Sequence, residues 1–413
     1  MKRIIIDTQS NRLFQGIPAE QVYDQRGGLC EVGEGHIVIT AQEIDPDFLD
    51  YWTGLGLSLP TMLAAGPFSK NATLSELIMQ RREIREALDI LTNGTKARLE
   101  FFCIEESERL LTQHLGIPAY CNFDVAIPLS RKPAFRRFFD EQGLSCPPGM
   151  ICSTHEDLRT FGAMFLDAGK AFLVKSEDGT GGVGCDGLFP INSWDEFLAF
   201  LDEEHELGRE FVVEEQIAKR AEVSVHWEID EYLTPHLKGI FNQHAPDFGY
   251  AGTSWPPTIS KRVQDALLED LASKWWPALT DKVAIGFFCC DVLIDERDRH
   301  YWIDFNPRKG AIRYVYCLAQ RLADRHFGGV YTAFLHEHIK LSDAIREKIK
   351  SFASLRDVLA DLLIPNGQTF VVITNPGVIP YGYADITCIT SSDDQTESRQ
   401  LFEEAKRRLS STS

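Results

Sequence analysis

The segments Cys290-Asp291-Val292-Leu293-Ile294-Asp295 and Tyr301-Trp302-Ile303-Asp304-Phe305-Asn306-Pro307-Arg308 decide the fold. The polar turn Glu296-Arg297-Asp298-Arg299 joins them, so the stretch reads as two strands of a hairpin. With the turn centred between Arg297 and Asp298, Asp291 lies directly opposite Asp304. Asn306, two residues on, leaves the same face as Asp304. Tyr301, Ile303 and Phe305 then point the other way, into a core. Two carboxylates and an amide converge on one polar face of an otherwise apolar hairpin. Such hard oxygen ligands suit Mg²⁺, which takes one or two carboxylates and keeps its other positions for water and phosphates.

Composition limits the remaining possibilities. A chain of 413 residues is too long for one core, so two to four domains are expected. The net charge is -19 with no basic block, which argues against nucleic acid or an anionic membrane as partner. None of the ten cysteines forms a C-x-x-C pair, and Cys289-Cys290 sit together in an apolar strand. That pattern is neither a zinc site nor a disulfide framework; it suits a reduced, cytoplasmic protein. No run approaches the ~20 apolar residues of a membrane span.

Working outward, strands are expected at Lys2–Ile6, His36–Thr40 and Leu99–Ile104, alternating with helices at Pro46–Leu55, Ala72–Leu91 and Glu105–Gly116. This is a small α/β layer without a visible catalytic motif. Ser130-Arg131-Lys132-Pro133 opens a helix over Ala134–Gln142. Arg262–Leu279 and Ala311–His326 read as amphipathic helices. The tail carries a helix at Leu355–Leu363, strands at Thr369–Thr374 and Ala384–Ile389, and a last helix at Glu397–Leu409. His336-Glu337-His338 is placed on a helix, where i,i+2 side chains do not share a face, so no metal site is expected there.

The apolar strand Ala171–Val174 leads into Lys175-Ser176-Glu177-Asp178-Gly179-Thr180-Gly181-Gly182-Val183-Gly184. Glycine lets a backbone approach phosphate oxygens closely. The string matches G-x-G-x-x-G, but Cys185–Pro190 returns as a strand where a dinucleotide fold needs a helix. A Walker loop would end in Gly-Lys-Ser/Thr. The loop reads as a flap between two strands, with Lys175 at its base. Further on, Glu214-Glu215-Gln216-Ile217 ends a strand and could offer backbone groups to an adenine edge. Glu222 precedes the strand Val223–Trp227 and could accept from ribose hydroxyls.

Taken in order, Lys132, Lys175 with its glycine flap, Glu214–Ile217, Glu222, and Asp291…Asp304-Phe305-Asn306-Pro307-Arg308 resemble the ATP-grasp ligase superfamily over about residues 125–325. The family usually has Glu where this chain has Asp304. It often has a basic residue where this chain has Cys289. The resemblance implies an α/β (α+β) architecture of two subdomains gripping ATP, spanning 125–335 with a lid at about 150–215. A pre-ATP-grasp α/β domain over 1–124 would precede it, and a small C-terminal α/β piece over 345–413 would follow. The layout of that tail resembles pheganomycin-type peptide ligases, enzymes of secondary metabolite biosynthesis.

By the same resemblance, Lys132 and Lys175 bind ATP phosphates, and Gly179, Thr180, Gly181, Gly182, Val183 and Gly184 cover them. Glu214, Glu215, Gln216 and Ile217 line the adenine, and Glu222 meets the ribose. Asp291, Asp304 and Asn306 hold two Mg²⁺, with Mn²⁺ as a substitute, and Arg308 meets the transferring phosphate. The implied reaction joins an amino-acid-like carboxylate to an amine through an acyl phosphate, releasing ADP and phosphate. Alternatives are transfer of the acyl group to a carrier-protein thiol, or a non-catalytic ATP-binding regulator. Lys309 and Arg313 are candidates for binding the substrate carboxylate, and Tyr250–Pro257 for a loop closing on it. His236 and His244 flank that loop. Small-molecule partners and a homodimer complete the expectation.

Overall fold

The structure, a computed structural model, describes residues 1–7, 24–66, 72–177, 185–189, 193–203, 210–246, 249–364 and 367–410. It divides into two compact units. One comprises Met1–Phe123, Ala251–Pro256 and Arg308–Ser413; the other comprises Asp124–Tyr250 and Pro257–Pro307. No helix among the described residues is long and apolar enough to cross a membrane.

The second unit holds two antiparallel sheets. In one, strands His300–Asn306, Gly286–Asp295, Lys219–Ile229 and Pro235–His244 lie side by side in that order. In the other, the order is Gly149–Cys152, Phe211–Glu215, Phe172–Ser176 and Cys185–Phe189. Val223, Val225, Trp227, Cys290, Val292, Ile294, Trp302 and Phe305 fill the core behind the first sheet. Trp275 stands at its centre, its ring centroid 4.7 Å from Phe305, 5.2 Å from Trp227 and 5.3 Å from both Phe138 and Trp302. Trp275 comes from the expected long helix, which is one run of helical residues containing a π turn. Helix Lys261–Asp270 passes through the π segment Leu271–Trp275 into helix Trp276–Asp281, and Pro277 lies just beyond. A proline has no N–H to give the preceding turn, and a π turn is one way to absorb that loss. Asp270, at the head of the π segment, takes bonds from Trp302 Nε1 at 2.9 Å and from His300 at 2.8 Å, which pins the hairpin to this helix.

The hairpin departs from the expected turn. Ile294 pairs with His300, so the turn is centred on Arg297. Asp298 takes a left-handed conformation at φ 59°, and Asp295 Oδ1 accepts from the N–H groups of Arg297 and Arg299, both at 2.9 Å. This is a three-residue loop closed by a left-handed residue. A bulge follows: Val292 pairs with Trp302 but Asp291 with Asp304, so Ile303 is the extra residue. The bulge restores the facing carboxylates, and it puts Trp302 in the core where Ile303 was expected. Tyr301 is buried outside that core, its hydroxyl 3.4 Å from Asp295 Oδ2.

The first unit has a parallel sheet ordered Thr61–Ala64, Ile37–Thr40, Lys2–Ile6, Ala97–Phe101. Its antiparallel strands run Gly252–Trp255, Ala333–Lys340, Tyr383–Thr390, Thr369–Asn375. Two expectations change here. Gly252–Trp255 is a paired strand rather than a closing loop, with Trp255 edge-on to Tyr331 at 5.4 Å. His336 and His338 lie on a strand, so their side chains share a face.

This unit also buries a charge network. Lys309 Nζ sits 2.8 Å from Glu31 Oε1 and 3.2 Å from Asp7 Oδ1. Arg313 Nε donates to Glu31 at 2.8 Å, and Arg3 donates to both Glu31 and Glu100 at 2.7 Å. Burial alone would push Glu31 up, but Arg313, Lys309 and Arg3 hold it well below the usual carboxylate range. Glu100, equally buried, is held at about 2 chiefly by Arg3. Gly27 makes the packing feasible: a Cβ there would come within 1.9 Å of Asp7 Oδ2 and 2.5 Å of Tyr314. Removing one partner of a buried pair strands the other charge. Lys309→Ala is therefore expected to lose ~3–5 kcal/mol in urea unfolding at pH 7. Because Glu31 and Glu100 are depressed, their stabilisation is present above the unfolded carboxylate value of about 4.3 and is lost as pH falls toward 2. Stability of the native chain should decline over that window.

Candidate functional site

The face of the first sheet opposite the aromatic core is polar. Alternation along each strand puts Asp304, Asn306, Asp291, Cys289, Glu222, Ser224, His226 and Gln243 on it. The register sets Asp304, Asp291 and Ser224 in one row, and Asn306, Cys289 and His226 in another. One amide ties the acids together: Gln243 Nε2 donates to Asp291 Oδ2 and to Glu222 Oε1, both at 3.1 Å. Burial, then the Asp304 and Glu222 carboxylates, push Asp291 up to about 7. Like charges facing one another in a partly dry environment disfavour the ionised state, and a divalent cation relieves that conflict. Among the described residues no three His, Cys, Asp or Glu side chains form a ready-made metal cage. Two carboxylates with an amide oxygen fit Mg²⁺, whose remaining ligands come from water and phosphates.

The second sheet supplies the cations. Lys175 and Glu214 share the face turned away from the apolar cluster of Phe172, Val174 and Val213, and their side chains are paired. Arg136 Nη1 lies 3.8 Å from the other oxygen of Glu214. Lys132 opens helix Lys132–Glu141, and its N–H donates to the Glu177 carbonyl at 3.2 Å. Lys132, Arg136, Lys175, Glu214, Trp302 and Ile303 line one recess. Three cations against one carboxylate make it locally positive in a chain of net charge -19.

The other expected residues divide. Gly179, Thr180, Gly181, Gly182, Val183 and Gly184 lie outside the described residues. Glu215 turns to the surface and pairs with Lys170 at 2.7 Å. The Gln216 N–H is bonded to the Ala171 carbonyl at 2.9 Å, so a purine edge must look to Ile217 for a donor. Glu222 accepts from Gln243 and is paired with Lys219. Arg308 falls in the unit of residues 308–413, its guanidinium 4.8 Å over the Phe102 ring and donating to the Lys309 carbonyl at 2.7 Å. Lys309 and Arg313 are committed to Glu31, and Arg313 Nη1 also bonds Tyr316 at 2.8 Å. That corrects their expected role, since a buried cation already matched by carboxylates is a poor receptor for another. His236 clasps Asp230 at 2.9 Å across its own turn. Gln243 and Arg136 join the site without a sequence signal that marks them. Gln243 is hidden by a bulge between Leu237 and Gly239 that shifts its strand by one residue.

No family model and no curated protein sequence matches the chain. Solved structures do. N5-carboxyaminoimidazole synthetase from Staphylococcus aureus, complexed with ADP, superposes with a TM-score of 0.56 at 12% identity, covering 98% of this chain and 97% of that one. Biotin carboxylase from Campylobacter jejuni, a β-γ-ATP complex, gives 0.62 at 13% identity over 99% and 91%. The biotin carboxylase domain dimer of 2-oxoglutarate carboxylase from Hydrogenobacter thermophilus, with MgADP, ADP and bicarbonate, gives 0.61 at 13% over 98% and 89%. At such identities the likeness establishes a shared fold.

Because Asp291 is raised, the stability it favours when protonated is lost as pH climbs from the unfolded carboxylate value of about 3.9 through about 7. Asp291→Asn is expected to raise the cation-free melting temperature at pH 8 by a few degrees while abolishing any further rise with Mg²⁺ and ATP. Differential scanning fluorimetry reads both effects.

Proposed function

We propose that this chain, which carries the ATP-grasp fold, is an ATP-dependent carboxylate–amine ligase. The observation that carries this reading is that one compact unit holds both an acidic face (Asp291, Asp304, Asn306, Glu222) and a cationic recess (Lys132, Lys175, Arg136). The nucleotide complexes among the structures of like fold support it.

Phosphoryl transfer asks a protein for positioning and charge neutralisation more than for covalent chemistry. Asp291, Asp304 and the Asn306 amide would hold Mg²⁺, which supplies charge neutralisation at the triphosphate. Lys132 and Lys175 would meet phosphate oxygens. Lys175 must then exchange Glu214 for phosphate, and Arg136 stays beside Glu214 to balance it. Glu222, held by Gln243, would accept from ribose hydroxyls. The carboxylate substrate becomes an acyl phosphate, and an amine displaces phosphate from it. The residues at 178–184 would exclude water meanwhile, since acyl phosphates hydrolyse readily. The acid we propose is amino-acid-like, and the product an amide or peptide.

ADP release should appear when amino acids, singly and in pairs, are supplied with ATP and Mg²⁺, and product masses tell amide from thioester on a carrier protein. Asp304→Ala should lower turnover by roughly 10³-fold without changing the urea midpoint by more than about 1 kcal/mol equivalent. Near-native turnover in that variant would remove the metal assignment, and no ADP release with any acid would remove the ligase reading.

A further inference from the structure

The acidic face carries two neutral partners beside its carboxylates. Strand Lys219–Ile229 sends Glu222, Ser224 and His226 to that face, two residues apart. Ser224 stands directly opposite Asp291, and His226 directly opposite Cys289. Asp291 is half-buried, whereas Ser224 and His226 are enclosed, at 2% and 3% exposure.

The three side chains form a connected series. Ser224 Oγ lies 3.2 Å from His226 Nε2, and the same hydroxyl bonds the Asp291 carboxylate. A hydroxyl has one proton to give, and an ionised carboxylate only accepts. With Asp291 ionised, Ser224 therefore donates to Asp291 and accepts from the His226 Nε2–H. Gln243 Nε2 donates to Asp291 Oδ2 at 3.1 Å. An amide and a hydroxyl thus hold one carboxylate between them.

The direction of the imidazole is set in turn by packing. Gly239 is the partner of His226 on strand Pro235–His244. A Cβ at Gly239 would come within 2.6 Å of the Phe241 ring, so the glycine leaves room for that ring. Phe241 meets His226 edge to face, with centroids 5.4 Å apart and planes at 86°. This is a favoured ring arrangement, and it fixes the plane of the imidazole. Phe241 orients His226, His226 orients the Ser224 hydroxyl, and the hydroxyl orients Asp291.

We propose that His226, acting through Ser224, is a positioning residue that fixes the Asp291 carboxylate for Mg²⁺ and favours that ion over larger ones. The inference rests on the metal assignment within the ligase reading above. Mg²⁺ demands near-ideal octahedral geometry, whereas Ca²⁺ accepts flexible ligand sets. A carboxylate allowed to swing therefore forfeits Mg²⁺ affinity first. Partners that hydrogen-bond a metal ligand typically contribute roughly 10–100-fold to metal affinity.

Calorimetric titration with ATP alone, with Mg²⁺ and with Ca²⁺ tests this without reference to turnover. Ser224→Ala removes the hydroxyl, and His226→Leu removes the donor while keeping bulk. Both should weaken binding with Mg²⁺ by roughly tenfold or more, binding with Ca²⁺ by about threefold at most, and binding of ATP alone by less than about twofold. His226→Gln, whose amide N–H stands in for Nε2–H, should restore most of the Mg²⁺ gain. Binding of ATP alone also certifies that each variant is folded. A purely structural role predicts parallel losses in all three titrations. That result overturns the proposal, as does native Mg²⁺ dependence in both Ser224→Ala and His226→Leu, or a His226→Gln no better than His226→Leu. If the native chain gains nothing from Mg²⁺, the metal assignment and the ligase reading fall, and this role falls with them.

Discussion

Three carboxylates that repel one another occupy one side of a sheet, and that arrangement governs what the second unit can do. Asp291 faces Asp304 across the hairpin, with Glu222 on the neighbouring strand. Left alone they would turn away from one another or bind protons. They are held by the opposite side of the same strands, where Cys290, Val292, Trp302 and Phe305 are locked around Trp275. Apolar burial on one side thus supports electrostatic conflict on the other. Conflict of this kind marks functional sites, because a cation converts it into binding energy.

The positive charges follow a corresponding division. Buried Lys309 and Arg313, with half-buried Arg3, sit among Glu31, Glu100 and Asp7, and they maintain the structure of their unit. Lys132, Arg136 and Lys175 line one recess with Glu214, which pairs with Lys175 and lies near Arg136, and Arg136 also meets Asp140. The first set is near neutrality and has little to offer a ligand. The second brings three cationic side chains to one recess, a grouping that suits a polyanion. An acidic chain can therefore hold a nucleotide where its local field opposes its net charge.

Much of the fold was legible because period-2 and period-3.6 patterns are local. The hairpin itself, the helix opening at Lys132 and the strand before Lys175 follow from such patterns, while Asp291 faces Asp304 only because the bulge offsets the shifted turn. Bulges were not legible. The extra residue Ile303 exchanges Trp302 for Ile303 in the core, and the shift between Leu237 and Gly239 hides Gln243. One residue in a strand reverses every side chain beyond it, and composition carries no mark of this. Long-range pairing was hidden as well: Arg313 finds Glu31 across 282 positions and Lys309 finds Asp7 across 302. His336-Glu337-His338 fits a helical period locally; β-pairing with Tyr383–Thr390 makes it a strand, and with it a pair of histidines on one face.

The central claim is that the acidic face and the cationic recess take a triphosphate together with a divalent cation. Calorimetric titration with ATP, with and without Mg²⁺, tests it most directly. The account predicts binding at least about tenfold tighter with Mg²⁺, a difference of roughly 1.4 kcal/mol. Equal affinity in both titrations, or no ATP binding in either, would contradict it.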